Sequence, residues 1–227
     1  MEIRKIRSGI EEESFAKGGV DLIFAKKPEL NSIGTPEQYK KYIDSIFPES
    51  VVKDILWHGG NLEEGIVAEK GIYFTDSNEY ARQFMALNDR AINFYPAVMD
   101  IKDPLQINFV NYQIVEIINQ VKNNQDIDLT KYKDNILGFA EQIKESSELI
   151  VQIKESDAIV GQDLYDDTNP LNKFSYGNSQ ELFYKLKELA DGSKVYVIFK
   201  KEQLHILGNE ADALAFKEFV KIENTTA

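Results

Sequence analysis

Leu56-Trp57-His58-Gly59 and, after a short intervening stretch, Lys70-Gly71-Ile72-Tyr73-Phe74 are the segments on which the reading of this chain turns. Each is a short apolar run bounded by glycine, the pattern of a buried strand closed by a turn. Fifteen positions separate His58 from Tyr73. That spacing places a ring donor and a glycine amide at the end of one strand and a flat aromatic face on the next. Together these groups suit a planar carboxamide such as nicotinamide, with His58 and Tyr73 lining a common pocket. Gly59 lacks a Cβ, which lets a ligand approach the backbone.

Working outward, the next clear element begins at Thr35. Thr35-Pro36-Glu37-Gln38 is a capping box with proline at the first helical position. Tyr39, Tyr42, Ile43, Ile46 and Phe47 follow it at helical spacing, and Pro48 ends the helix. Val51 to Trp57 reads as a buried strand, residues 61 to 70 as a turn or short helix, and Ile72 to Phe74 as a short strand. Asp76-Ser77-Asn78-Glu79 caps a second helix whose buried face carries Tyr80, Ala81, Phe84 and Met85. Tyr95 to Ile101 reads as a strand stopped by Asp103-Pro104. Residues 109 to 122 and 136 to 150 read as helices with a loop at 123 to 126. Asp157 to Val160, Lys194 to Phe199 and Gln203 to Leu207 read as strands, and Gln180 to Ala190 and Ala211 to Val220 as helices.

This order predicts an α+β domain over residues 35 to 227, with a helical insertion at about 106 to 153 and an amino-terminal extension over 1 to 34. The absence of a regular βαβ rhythm and of Gly-x-Gly-x-x-Gly argues against a doubly wound dinucleotide fold. The chain of 227 residues carries a net charge of −12, which disfavours non-specific contact with a phosphate backbone. It has no cysteine, so disulfides and thiolate metal sites are excluded, and a reducing cytoplasm is the expected setting. Two histidines, His58 and His205, cannot make a three-histidine metal centre, and no metal is expected. No apolar run approaches the roughly 20 residues needed to cross a bilayer, and no secretory leader is evident. His205, between Leu204 and Ile206, reads as a half-exposed strand residue. The acidic stretch Asp163 to Asp167 reads as a solvated loop.

The ordered blocks resemble the NAD-binding core of the ADP-ribosyltransferases. They are most similar to the branch with a His-Tyr-Glu signature, which includes the poly(ADP-ribose) polymerases and diphtheria-type toxins, and to small bacterial and phage domains of that kind. Tyr95 to Leu105, Ser156 to Val160, and Tyr196-Val197-Ile198-Phe199 through Glu202-Gln203-Leu204-His205-Ile206-Leu207-Gly208 extend the resemblance over about residues 35 to 220. It implies a split β-sheet core with NAD as co-substrate in a cleft between two small sheets. It also implies breakage of the nicotinamide–ribose bond and transfer of ADP-ribose to a macromolecular acceptor. The charge favours protein over nucleic acid as that acceptor. Residue by residue, it implies that His58 bonds a hydroxyl of the adenosine ribose, the Gly59 backbone pairs with the carboxamide, and Tyr73 stacks on the nicotinamide, with Gly71 beside it. Phe84 falls where a second stacking aromatic is often found.

The chain departs from the family at two places. The slot for the signature glutamate holds Val195, after Lys194. Glu202 and Gln203, a few residues on, or Glu181 from elsewhere, are the polar side chains offered in its stead. The other readings are an NAD glycohydrolase, with water as the acceptor, and an NAD-binding module with little or no turnover. After Gly59 the family commonly has serine or threonine, and this chain has Gly60.

Overall fold

The computed structural model describes residues 19–60, 62, 71–87, 93–163, 188 and 192–226. Among these, seven α-helices and seven strands make an α+β fold. In chain order they are α1 (Val20–Lys26), α2 (Pro36–Ile46), β1 (Leu56–Gly59), β2 (Ile72–Thr75), α3 (Asn78–Leu87), β3 (Phe94–Met99), β4 (Pro104–Val110), α4 (Tyr112–Lys122), α5 (Asp134–Glu145), α6 (Ser147–Glu155), β5 (Ala158–Asp163), β6 (Lys194–Ile198), β7 (Leu204–Ile206) and α7 (Glu210–Thr226).

The strands form one mixed sheet in the order β4-β5-β6-β2-β1-β3-β7. Only β4 and β5 are parallel, and α4, α5 and α6 supply the crossover that parallel neighbours require. The sheet cannot be flat. From Met99, the end of β3, to Pro104, the start of β4, is five Cα steps, a reach of about 18 Å. Five strand spacings separate β3 from β4 in the sheet order, about 24 Å across a flat sheet. The sheet therefore curls, so that its edges approach.

Gln203 pins the curl. It is 8 % exposed, and its Nε2 donates to both Asp100 O, just past β3, and Asp157 O, just before β5, each at 3.1 Å. Asp157 extends the clasp by accepting from the backbone N–H groups of Lys102 at 2.7 Å and Asp103 at 3.0 Å.

The curl divides the core. Inside it, Leu56, Ile72, Phe74, Met99, Val160 and Ile198 pack together from five different strands. On the outer face, α4, α5 and α6 cover Val195, Val197 and Ile159. Elsewhere on that face Ile23, Leu30, Tyr39, Val98 and Phe216 form a second cluster, while Leu22, Trp57 and Ala81 form a small third one.

The boundary at residue 34 does not hold as a structural divide, because Leu22 and Leu30 are among the most deeply buried side chains. The strand expected over 51 to 57 is confined to 56–59. The helix expected over 136 to 150 is two helices, divided at Ser146, whose side chain accepts the Leu149 N–H and caps α6. The insertion at 106 to 153 contributes most of an edge strand, β4, before its helices begin. All of the expected helix over 180 to 190 except Glu188, and nearly all of the acidic loop, lie outside the described residues, Glu181 among them.

Candidate functional site at the seam of the sheet

β1 and β2 share a single registered pair, Trp57 with Thr75. In place of two separate small sheets, the chain has one sheet with a weak seam at its centre. β1 continues its pairing with β3 on the other side (Leu56–Ala97 through Gly59–Phe94), and β2 pairs with β6 from Ile72–Ile198 to Thr75–Val195. Each strand is thus held by its own wing, while the two part from each other beyond Trp57.

His58 lies where they part. Its Nδ1 meets Tyr73 O at 2.7 Å, so the imidazole links the two strands where ladder pairing has stopped. A carbonyl can only accept, so Nδ1 carries the proton. Burial pushes the His58 pKa below the ordinary imidazole value, against a smaller upward pull from the bond to Tyr73 O. The side chain is therefore neutral near pH 7, with a lone pair on Nε2. That atom is buried and has no hydrogen-bond partner among the described residues. The ring is fixed further by Phe74 and Tyr95, with centroids 5.3 and 6.2 Å away.

Gly60 explains itself at this point. Its φ is +155°, outside the range comfortable for residues with a side chain, and a Cβ there would sit 2.9 Å from His58 Nε2. A serine or threonine, as the family resemblance implies, would crowd Nε2. Gly60 N–H is fixed on Asn93 O at 3.0 Å.

The other predicted site residues fall into three groups. Gly59 is at the seam, paired with Phe94, whose ring stacks on Trp57 at 5.1 Å. Tyr73 is also at the seam, but its contribution to His58 is its carbonyl. By strand alternation its phenol leaves on the face shared with Thr75 and Trp57, opposite His58, and it packs half-buried beside the cluster containing Val195 and Val197. The imidazole and the phenol are thus joined through the backbone and do not line one face together. Gly71 has a structural cause: φ is +75°, and a Cβ would lie 2.4 Å from Val197 Cγ1. Phe84 is on α3, and its side chain lies outside the described set.

Val195, Glu202 and Gln203 form the third group. Val195 is 5 % exposed, paired with Thr75 and packed in apolar surroundings. Glu202 is exposed on the turn Lys201–Gln203. Gln203 is committed to the clasp, with its Oε1 also accepting the Lys200 N–H at 3.2 Å. Asp100, to which Gln203 is bonded, lies five residues along the chain from Tyr95, the partner of His58, about 17 Å at extended spacing. The fold uses Gln203 as a brace and leaves Glu202 exposed on the turn.

Sequence reasoning passed over a second polar centre. Asp212, fully buried on α7, accepts from Tyr39 OH, from Gly208 N–H at 2.7 Å, from Tyr42 OH at 3.1 Å and from His205 Nε2 at 2.8 Å. Burial first, and then this carboxylate, push both phenols well above the usual tyrosine range. The one local signal was Asn209, whose side chain accepts the Asp212 N–H at 2.8 Å in a helix cap. His205 is half-exposed on β7, as its alternation implied.

Among the described residues, no group of three or more His, Asp or Glu side chains is placed to hold a metal ion, and no helix is long and apolar enough to cross a membrane. No family model, curated protein or solved structure matches this chain.

Proposed function

We propose that this chain binds NAD at the β1–β2 seam and acts as a mono-ADP-ribosyltransferase of the His-Tyr-Glu kind. The observation that carries the reading is the Nε2 of His58: a buried acceptor, held in one tautomer, with no partner among the described residues. Leaving such a group unpaired costs about 1–3 kcal/mol, a cost that a ligand hydroxyl would relieve. In this reading a ribose hydroxyl of NAD supplies that donor, and Gly60, having no Cβ, adds no atom against Nε2.

In this reading the Gly59 backbone receives the carboxamide. Tyr73 contributes the carbonyl that orients His58, while its ring leaves on the other face of the sheet. NAD supplies the activated nicotinamide–ribose bond. The chain's residues bind, orient and exclude water. The net charge of −12 favours a protein acceptor over a nucleic acid.

A second reading has its own support. Val195 stands apolar and buried in the glutamate slot, and Gln203 is engaged elsewhere. Loss of one preorganised group of that sort lowers rate by about 10²–10³. Under this reading the seam binds NAD but turns it over slowly.

Calorimetry with a non-hydrolysable NAD analogue, beside a turnover assay with NAD and cell lysate, separates the two. Saturable binding, released nicotinamide and labelled protein support the transferase. Binding with no nicotinamide released supports the binding module. A folded protein with no affinity for the analogue contradicts both. His58→Asn keeps a donor where Nδ1 sits and removes Nε2. It is expected to weaken the analogue at least about tenfold, equivalent to about 1.4 kcal/mol.

A further inference from the structure

A second cleft, of about 360 Å³, lies far from His58 in the sheet order, between the edge strand β4 and the helices α5 and α6. Its volume is within the range of small-ligand sites. None of its ten lining residues is ionisable, in a chain where 28 % of residues are charged. Gln106 and Asn108 stand on the strand wall, and Asn135 and Gln142 on the helix wall. None of these four amides bonds another described side chain or backbone group, and all four are exposed. Phe109, 45 % exposed, and Phe139 add two ring faces.

The strand wall is shaped by a bulge. Between Gln106 and Phe109 the register with β5 slips, so that three steps on β4 match two on β5. Gly161 permits it, because a Cβ there would lie 2.5 Å from Ile107 O. Bulges re-aim side chains, and this one falls at Ile107 and Asn108, which both line the cleft. Beside it, Asn111 is 6 % exposed. Its Oδ1 accepts the N–H of the lining residue Ile114 at 2.8 Å, and its Nδ2 has no acceptor among the described residues.

We infer that this cleft binds a neutral sugar ring. Each primary amide offers two N–H donors and a carbonyl acceptor, which matches hydroxyls that both donate and accept. Amides on both walls suit a ring whose hydroxyls surround its whole perimeter. The phenyl faces suit the C–H face of a pyranose. The absence of any charged side chain in the lining gives phosphates, carboxylates and ammonium groups no counter-ion.

The test is an NMR titration of the isotope-labelled full chain with a panel of neutral monosaccharides, and with nucleosides as a second arm. Saturable shifts of the Asn108 and Asn135 side-chain amides with at least one sugar are expected. The double substitution Asn108→Ala and Asn135→Ala should weaken that binding at least about tenfold without lowering the melting temperature, since both groups are exposed. Phe109→Ala, also on the surface, should weaken it independently. The inference is overturned if no sugar saturates these signals, if nucleosides bind and sugars do not, or if the double variant binds as the parent does. Its outcome is independent of NAD binding at the seam.

Discussion

Two polar centres are built into this fold, and they differ in one respect. Around Asp212 every donor has found its acceptor: two phenols, an imidazole and a backbone N–H converge on one carboxylate. Around His58 one bond is made and one is left open. The first centre ties α2 to the β7–α7 turn, bringing together residues 173 positions apart. The second holds two diverging strands at a seam with a single registered pair. A saturated buried network specifies a structure, and an unsaturated buried acceptor waits for a donor. Both histidines are partly buried strand residues, so only their partners tell them apart.

The contrast breaks most readily at Asp212. Asp212→Ala strands two phenol hydroxyls and the Gly208 N–H in a dry interior, and at about 1–3 kcal/mol for each unsatisfied donor the loss is expected to be at least about 3 kcal/mol, measured by denaturant unfolding. NAD binding by the fraction that remains folded should be unchanged, because the network does not touch the seam.

Gly60→Ser is expected to do less to stability and more to the site. The strained φ and the approach to Nε2 should cost about 1–2 kcal/mol in unfolding free energy. They should also perturb the His58 ring signals by NMR. An unchanged ring environment would show that the backbone at 60 does not set the imidazole's position.

The smallest stability effect is expected at His58 itself. His58→Asn should change unfolding free energy by less than about 1 kcal/mol at pH 7, since the bond to Tyr73 O is kept. Its pH dependence is the sharper readout. Because burial depresses the folded-state pKa, the unfolded chain binds the proton more readily. The parent's stability is therefore complete above about pH 6.5 and falls as pH drops from there toward the folded-state value. In His58→Asn that part of the acid slope should be missing. A slope identical in the two proteins would mean that His58 is not held neutral.

Much of the fold was legible because its signals are local. Thr35 and Gln38 announce α2, and both bonds of the capping box form. Trp57-His58-Gly59 and Ile72 to Phe74 announce the two central strands. β4 was hidden because Pro104 reads as a stop and the bulge at Ile107 and Asn108 breaks the alternation that marks a strand. The break at Ser146 was hidden because apolar spacing runs on across it. In the site, the types of residue at 58 to 60 were readable, but not the face on which each side chain leaves the sheet, which depends on register between distant strands. Of the Asp212 centre only the Asn209 cap is a local signal, since its other partners meet only after the chain has folded. Gln203 shows the converse case: its place in a motif gave it a chemical role, and the curl of the sheet gave it a structural one.

The most direct test of the seam follows the His58 imidazole nitrogens by NMR while the protein is titrated with a non-hydrolysable NAD analogue. A neutral ring protonated on Nδ1, with an Nε2 signal that shifts saturably as its lone pair accepts a ligand hydroxyl, is the predicted result. An Nε2 signal that stays fixed at saturating analogue, or a free protein in which Nε2 carries the proton, would contradict it.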